Sequence, residues 1–218
     1  MTTSSLRHIV WDWNGTLLDD NHAVVSAVNT VCTHFDRDPI DIDEWRAIFS
    51  RPLRACYERL LRREITEDDW SRVDELYHVA YRELLDSCGM TDGVPHVLQD
   101  WAATGGTQSL LSMWFHDELV DLVTARGLHA LFDRMDGLRS SVGGGSKDVH
   151  LRAHLEAQEL DPAEVVLIGD VLDDAHAAEQ AGAHCVLVTT GVMDRPKLEK
   201  SGYPVADSLP EALKLLAA

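Results

Sequence analysis

Two kinds of hydrophobic pattern alternate along most of the chain. Continuous apolar runs are typical of buried strands, whereas apolar positions three and four residues apart are typical of helices. The apolar runs predict strands near residues 8–11, 108–113, 135–140, 164–169 and 184–188, with a last one after residue 203. The periodic segments predict helices near residues 95–103, 116–126, 148–158 and 173–181, with a last one before residue 217. Such alternation predicts an α/β fold, a doubly wound parallel sheet with right-handed crossovers.

One long segment departs from this alternation and has helical spacing throughout, from about residue 21 to residue 87. Its last predicted helix covers residues 67–85, and Thr66 is a candidate N-cap for it. We therefore predict that a small helical bundle is inserted after the first strand. The predicted domains are an α/β core, residues 1–19 and 88–218, and a helical domain, residues 20–87.

Composition narrows the classes of partner. The 218 residues carry 37 acidic and 19 basic side chains, a formal net charge of -18, and there is no basic run that could follow a phosphate backbone. We expect no nucleic-acid partner and no membrane partner. The chain shows no apolar signal core and no apolar run long enough to span a bilayer, so the expected location is cytoplasmic. The pattern does not predict an oligomeric state.

The cysteines are also informative because they are widely separated. They form no Cys-x-x-Cys pair and have no histidines at zinc-binding spacing. Buried free thiols in a reducing compartment are the simplest interpretation. The four cysteines are Cys32, Cys56, Cys88 and Cys185.

Carboxylates follow two of the predicted central strands. Asp12 ends the first apolar run, and Asp170 ends the run at residues 164–169. In an open α/β sheet, ligands bind outside the carboxyl ends of the strands, where such side chains meet. Two carboxylates at that edge suit Mg²⁺. The alternative is structural: Asp12 starts a turn, and Asp173 and Asp174 cap the next helix.

The residues around these carboxylates resemble the motifs of the haloacid dehalogenase (HAD) superfamily. Residues 12–16, Asp-Trp-Asn-Gly-Thr, resemble motif I, which reads Asp-x-Asp-Gly-Thr in the phosphatases of that superfamily. Residues 169–174 resemble motif IV, Gly-Asp-x-x-x-Asp. The resemblance covers nearly the whole chain and implies a Rossmann-like core with a helical cap, close to phosphoglycolate phosphatases. Asn14 departs from it, since it occupies the position of the second motif I aspartate.

The resemblance also implies a role for each matching residue. Asp12 would be the nucleophile and a metal ligand, Asp170 a direct magnesium ligand, and Asp174 a support for the metal's water shell or for the lysine. The backbone carbonyl of Asn14 would be a further ligand. Ser112 resembles the motif II residue that holds a phosphate oxygen, and Lys147 resembles the motif III lysine that neutralises the phosphoryl group.

Two structural alternatives concern Ser112 and Lys147. A lone serine at a strand end is usually a turn residue, and most lysines are solvated surface charges. The glycines at residues 143–145 precede Lys147, but this stretch lacks the spacing of a nucleotide-binding P-loop. The order of the motifs along the chain favours the functional interpretation in both cases.

The change at Asn14 has a chemical consequence. The second motif I aspartate serves as general acid and base, and an amide cannot cycle a proton at neutral pH. Loss of such a group typically slows a reaction by about 10²- to 10⁴-fold. We therefore hypothesise slow turnover of alkyl phosphates, with a preference for better leaving groups or recruitment of another acid such as Asp19, Asp20 or a cap residue. Arg51 in the cap is a candidate for binding a second anionic group of the substrate.

The sequence thus predicts a Mg²⁺-dependent phosphatase that hydrolyses a small phosphorylated metabolite through an aspartyl-phosphate. One alternative is a catalytically weakened protein that binds a phosphorylated ligand or is phosphorylated on Asp12. Another is a haloacid dehalogenase, although motif IV counts against it because those enzymes need no magnesium. Phosphonatase chemistry needs a cap lysine, and residues 21–87 contain none. A receiver domain would lack the helical insertion.

Overall fold

The computed structural model describes residues 6–139 and 146–216. Six parallel strands form the main sheet, in the order β5-β4-β1-β6-β7-β8, and β2 pairs with β3 in a small antiparallel sheet. The strands are β1 (His8–Trp11), β2 (Leu18–Asp19), β3 (Gly89–Met90), β4 (Thr107–Phe115), β5 (Met135–Leu138), β6 (Val165–Gly169), β7 (His184–Val188) and β8 (Val205–Ala206).

Ten α-helices lie in the described ranges. Four of them follow one another between β2 and β3, and the other six belong to the α/β alternation. They are α1 (Asn21–His34), α2 (Ile42–Ile48), α3 (Leu53–Leu61), α4 (Glu67–Leu84), α5 (His96–Ala103), α6 (His116–Ala125), α7 (Lys147–Glu156), α8 (Leu172–Ala181), α9 (Arg195–Leu198) and α10 (Leu209–Leu216).

The centre of the sheet explains where a site can form. Every residue of β1 and β6 is buried, as expected for central strands covered on both faces. Trp11 at the end of β1 is level with Leu110 on one neighbouring strand and with Ile168 on the other. The residues that follow therefore reach the same edge of the sheet.

The helical insertion packs through its first and last helices, α1 and α4. The predicted cap at Thr66 is confirmed: its side chain accepts a hydrogen bond from the Asp69 amide, and the Asp69 side chain accepts one from the Thr66 amide. This reciprocal arrangement satisfies two amides that the first turn leaves unpaired. The predicted fold class, a doubly wound parallel sheet with a helical cap, is confirmed. The domain boundaries at residues 20 and 87 stay a prediction.

Several details differ from the sequence predictions. The strand β4 continues to Phe115, beyond the predicted end at Met113, through an irregular register after Leu111. The pair β2 and β3 and the short helix α9 were not predicted, because elements of two to four residues give no measurable period. Ser140 and the glycines at residues 143–145 lie outside the described residues.

Two composition-based expectations concern the whole fold. The four cysteines are free and buried, as expected. No helix in the described ranges combines the length and the apolarity that crossing a bilayer requires.

Candidate active site

Three of the predicted site residues meet at the carboxyl edge of adjacent strands. Asp12 directly follows β1, Asp170 follows β6, and Ser112 lies in β4, on the other side of β1. The Asp12 amide donates to the Ile168 carbonyl at 2.9 Å, which extends the pairing of the strands to the site. All three side chains border one cavity of about 790 Å³ between the sheet edge and the helical cap.

Lys147 reaches this edge from the first turn of α7. Its Nζ donates to Oδ1 of Asp12 and to Oδ1 of Asp174, and only 5% of the residue is exposed. The lysine is therefore a buried cation between two carboxylates and not a solvated surface charge. Asp174 holds its position because its other oxygen accepts from the Val171 amide at 3.1 Å, at the start of α8.

The electrostatics of these groups follow from burial and mutual charge. Burial raises the pKa of Asp12 to about 7, although the contact with Lys147 opposes the shift. Burial, and then the charges of Asp12 and Asp174, raise the pKa of Asp170 well above its usual range. Burial alone would lower the pKa of Lys147, but the adjacent carboxylates outweigh it and raise that pKa. The lysine is therefore positively charged at neutral pH.

The acidic groups form a compact cluster. One oxygen from each of Asp12, Asp170 and Asp174 lies within 4.8 Å of the other two. When ionised, three buried carboxylates beside one lysine carry an excess of negative charge, which a divalent cation would neutralise. Oxygen donors of this kind fit Mg²⁺. The role of the Asn14 backbone carbonyl as a further ligand remains a prediction.

Two glycines allow the backbone to approach Asp170. A Cβ at Gly191 would lie 1.8 Å from Oδ2 of Asp170, and a Cβ at Gly15 would lie 2.6 Å from the same atom. Gly15 also has a φ of +72°, in the left-handed region that favours glycine. The same oxygen accepts a hydrogen bond from the Val192 amide at 3.0 Å. The loop after β7 thus fixes Asp170 in place.

Asn14 lies in a hydrogen-bond network between core and cap. Its Nδ2 donates to the Tyr81 hydroxyl at 2.7 Å and to Oδ2 of Asp20 at 3.2 Å. The Tyr81 hydroxyl in turn donates to Oδ2 of Asp20, and the Gly15 amide donates to Oδ1 of Asp20 at 2.9 Å. The Asn14 oxygen faces the other way and accepts from the Ser112 hydroxyl at 3.2 Å. The amide orientation is therefore determined on both sides.

The two acidic residues that follow Asn14 in the sequence differ in their exposure to solvent. Asp19 is exposed on β2, whereas Asp20 is 1% exposed and borders the cavity. Burial raises the pKa of Asp20, against hydrogen bonds from Tyr81, Asn14 and the Gly15 amide that favour its ionised form. Asp20 is thus the carboxylate adjacent to the position that Asn14 occupies.

Arg51 borders the same cavity from the cap. Its Nε lies 3.1 Å from Oδ2 of Asp173, and its side chain is 45% exposed. Arg51 is therefore paired with a carboxylate of the motif IV segment, and its predicted contact with substrate is untested. A second contact between cap and core joins Arg46 Nε to the Gly191 carbonyl at 2.9 Å.

Two residues at the site were missed by the sequence analysis. Tyr81 belongs to none of the motifs, although it lies four residues after Tyr77 on the apolar stripe of α4. Gly191 lies in a Thr-Thr-Gly turn after β7 that carries no charged side chain. The helical period could have found Tyr81. Only the three-dimensional proximity to Asp170 identifies Gly191.

The fold and the buried carboxylate–lysine cluster are those of an α/β enzyme. The family model of haloacid dehalogenase-like hydrolases matches residues 9–188, which is most of the chain. The chain therefore belongs to this family, as the motifs predicted, and the enzyme class, hydrolase, is confirmed.

The curated relatives show which branch of the family is similar in sequence. The chain is 28% identical over 199 residues to a phosphoglycolate phosphatase of Synechococcus elongatus, an alignment that covers 88% of each chain. It is 26% identical over 192 residues to a phosphoglycolate phosphatase of Caulobacter vibrioides, covering 86% of this chain and 81% of the relative. The predicted similarity to phosphoglycolate phosphatases is thereby confirmed.

Solved structures agree with the fold. A haloacid dehalogenase-like hydrolase from Streptococcus pneumoniae superposes with a TM-score of 0.82 at 19% identity, covering 97% of this chain and 99% of the other. A hydrolase from Pseudomonas syringae gives a TM-score of 0.77 at 20% identity, covering 97% and 98%. At these identities the likeness supports the fold alone.

Proposed function

We propose that the protein is a Mg²⁺-dependent phosphatase that hydrolyses a small phosphorylated metabolite through an aspartyl-phosphate on Asp12. One observation carries the proposal: the buried ion pair of Asp12 with Lys147 borders the same cavity as Ser112 and Asp170. Similarity to phosphatases over most of the chain supports it as well.

Each side chain has a role that its position supports. The free oxygen of Asp12 attacks the phosphorus atom, the bond to the leaving oxygen breaks, and water later hydrolyses the acyl phosphate. Lys147 neutralises charge on the nucleophile and on the transferred group, and Ser112 donates to a phosphoryl oxygen. Asp174 orients Lys147, since the lysine nitrogen donates to Asp174 as well as to Asp12.

Asp12, Asp170 and the backbone carbonyl of Asn14 would hold the metal, with Asp174 in support. Mg²⁺ bound there would neutralise the phosphoryl oxygens and favour the ionised form of Asp12. The excess of buried carboxylates over cations supports this assignment.

Asn14 determines which substrates the enzyme can process quickly. Its amide cannot protonate the leaving oxygen, so the leaving group departs as an anion. Esters whose departing anion is weakly basic therefore react faster than alkyl esters. Asp20 and Tyr81 hold that amide in place, with its nitrogen toward the cap and its oxygen toward Ser112.

The same residue favours a second candidate function. A protein that lacks the acid–base aspartate could bind a phosphorylated ligand, or accept a phosphoryl group on Asp12, without efficient turnover. Metal-dependent catalysis distinguishes the enzyme from the binding protein.

The test is phosphate release from an aryl phosphate, acetyl phosphate and phosphoglycolate, with and without Mg²⁺, by the native protein and the Asp12→Asn variant. The proposal predicts turnover that requires both the metal and Asp12. Turnover that persists in Asp12→Asn contradicts the proposed nucleophile. No turnover by a folded protein that binds Mg²⁺ supports the binding protein instead.

A further inference from the structure

The cavity next to Asp12 is larger than a phosphoryl group and a two-carbon acid require. Its volume, about 790 Å³, lies in the range of roughly 300–1,000 Å³ that is typical of pockets for drug-sized ligands. Asp12, Ser112 and Lys147 line it together with cap residues such as Trp70, so the cavity has room for the alcohol part of a substrate as well as for the phosphoryl group.

Aromatic side chains are prominent among the residues that line the cavity. Ring centroids of Trp45 and Tyr57 lie 5.8 Å apart, and those of Tyr57 and Trp70 lie 6.1 Å apart, so a row of rings crosses the cap side. On the core side, Trp114 lies 5.1 Å from Tyr81. These spacings are those of tilted and edge-to-face aromatic pairs. The rings of Trp45, Tyr57, Tyr81 and Trp114 are at most 7% exposed, so they support the wall from behind. A planar ring system that entered the cavity would chiefly meet Trp70 and Tyr77, which line it and are partly exposed.

The cations that border the cavity already have acidic partners. Arg51 pairs with Asp173 at 3.1 Å, Arg54 pairs with Glu67, and Lys147 lies between two carboxylates. Within the described ranges, no cavity-lining lysine or arginine is left over for a substrate carboxylate. A phosphorylated carboxylic acid would therefore have to displace an existing ion pair.

The chemistry at Asn14 independently favours the same kind of substrate. Without a general acid, the leaving oxygen departs as an anion. A phenol has a pKa of about 10, as tyrosine does, against roughly 15.7 for water. A phenolate therefore leaves far more readily than an alkoxide. A phenolate can thus leave without the general acid that Asn14 does not supply, and its ring is also a group that an aromatic cavity would bind.

We propose that the substrate is the phosphate monoester of a bulky phenol, whose ring system occupies the aromatic cavity while its phosphoryl group lies at Asp12. The proposal rests on the phosphatase function proposed above. Asp12 attacks phosphorus, the phosphorus–oxygen bond to the ring breaks, and the phenolate leaves with the electron pair and takes a proton from water. A second water releases phosphate and regenerates Asp12.

The experiment compares aryl phosphates of similar leaving-group acidity but different size. We expect kcat/KM for 2-naphthyl phosphate to exceed that for phenyl phosphate by about tenfold, because the second ring adds aromatic contacts, and both to exceed phosphoglycolate. Acetyl phosphate serves as the small substrate with an activated leaving group. Faster turnover of phosphoglycolate than of either aryl ester contradicts the substrate class but leaves the phosphatase function standing.

A variant of the aromatic wall tests whether the cavity causes the preference. Trp70→Leu is expected to lower the ratio of kcat/KM for 2-naphthyl phosphate to that for acetyl phosphate by about tenfold. Val79→Ala is the matched control, because Val79 lies on the same helix, is 55% exposed and does not border the cavity. An unchanged ratio in a folded Trp70→Leu protein contradicts the proposal. Thermal unfolding of each variant establishes that it is folded.

A binding measurement separates this proposal from the proposed function. The probe is 2-naphthylmethylphosphonate, which cannot be hydrolysed, titrated calorimetrically into native and Trp70→Leu protein with Mg²⁺ present. Binding that weakens in Trp70→Leu, together with no turnover of any ester, supports the aromatic site and contradicts the phosphatase. If the probe does not bind and aryl esters are not turned over, the aromatic site is contradicted, whatever the rate with acetyl phosphate.

Discussion

The Asn14 side-chain nitrogen donates a hydrogen bond to the Tyr81 hydroxyl at 2.7 Å, and this bond joins the loop after β1 to the last cap helix. The same nitrogen lies 3.2 Å from Oδ2 of Asp20. An amide fits this position because its NH₂ group faces two acceptors. An aspartate there would place two buried carboxylates against each other, which is costly. Asn14 and Asp20 are thus chemically matched.

Exchanging the two side chains should transfer the carboxylate to the motif I position. We expect the double variant Asn14→Asp with Asp20→Asn to raise kcat for alkyl phosphates relative to aryl phosphates by about 10²-fold, the usual size of a general-acid contribution. The single variant Asn14→Asp should gain less, because Asp20 repels the new carboxylate. Steady-state rates on phosphoglycolate and phenyl phosphate measure the ratio. If the ratio is the same in native protein and both variants, Asn14 does not determine which leaving groups the enzyme can expel quickly.

Removal of the Tyr81 hydroxyl should weaken the connection between cap and core. Tyr81→Phe deletes the acceptor for Asn14 and a donor to the buried Asp20, so we expect a loss of about 1–3 kcal/mol in the free energy of unfolding. Chemical denaturation measures it. Tyr77→Phe is the matched control, since its ring stacks on Tyr81 at 5.7 Å but its hydroxyl does not bond to Asn14 or Asp20. Equal losses of unfolding free energy in the two variants would show that the hydrogen bonds of the Tyr81 hydroxyl do not stabilise the protein.

The buried position of Lys147 predicts effects on both rate and stability. Lys147→Met leaves Asp12 and Asp174 without their cation, so turnover should fall by about 10²- to 10³-fold. Unfolding free energy should fall by about 3–5 kcal/mol, the usual cost of breaking a buried ion pair. Rates and denaturation curves measure the two effects. Lys200→Met, at an exposed lysine that does not line the cavity, should change neither. A variant with native turnover would show that Lys147 is structural.

Magnesium should stabilise the folded protein through the carboxylate cluster. A metal at one hundred times its dissociation constant adds about 2.7 kcal/mol, so Tm should rise with Mg²⁺ and fall back when EDTA is added. Asp170→Asn should abolish most of this rise, whereas Asp43→Asn, at an exposed carboxylate in α2, should preserve it. Scanning calorimetry gives the result. Equal Mg²⁺ responses of Asp170→Asn and Asp43→Asn would mean that the metal binds elsewhere.

Acid should destabilise the protein through His8, at the start of β1. Burial and the charge of His154 lower the pKa of His8 from 6.5 to about 4, although Asp133 opposes the shift. Between about pH 4 and pH 6.5, His8 therefore binds a proton in the unfolded chain but not in the folded chain. The contribution of His8 to the free energy of unfolding is complete above pH 6.5. It is lost progressively as pH falls to about 4, by on the order of 3 kcal/mol in total.

The variant His8→Gln isolates this contribution. It keeps a polar side chain toward the Thr107 and Ser109 hydroxyls, which His8 contacts at 2.7 Å, but it removes the titrating group. Its unfolding free energy should vary less between pH 7.5 and pH 5 than that of the native protein. Parallel pH profiles for the two proteins would show that His8 does not titrate as described.

The sequence predicted the parts of the molecule that repeat or that follow a motif. The buried run of β6 and the helical period of α4 have clear patterns, and the carboxylates at Asp12 and Asp170 follow apolar runs directly. Contacts between distant segments have no such pattern. The approach of Gly191 to Asp170 and the bond from Asn14 to Tyr81 depend on how the sheet and the cap pack together, so the sequence could not reveal them.

The nucleophile is the central claim, and mass spectrometry of the phosphorylated enzyme tests it most directly. The protein is mixed with acetyl phosphate and Mg²⁺, quenched in acid within one turnover, and digested. We predict a phosphoryl adduct on the peptide that carries Asp12, absent from the Asp12→Asn variant and when Mg²⁺ is left out. Turnover without any adduct on that peptide, or an adduct at another residue that persists in Asp12→Asn, would contradict the proposed mechanism.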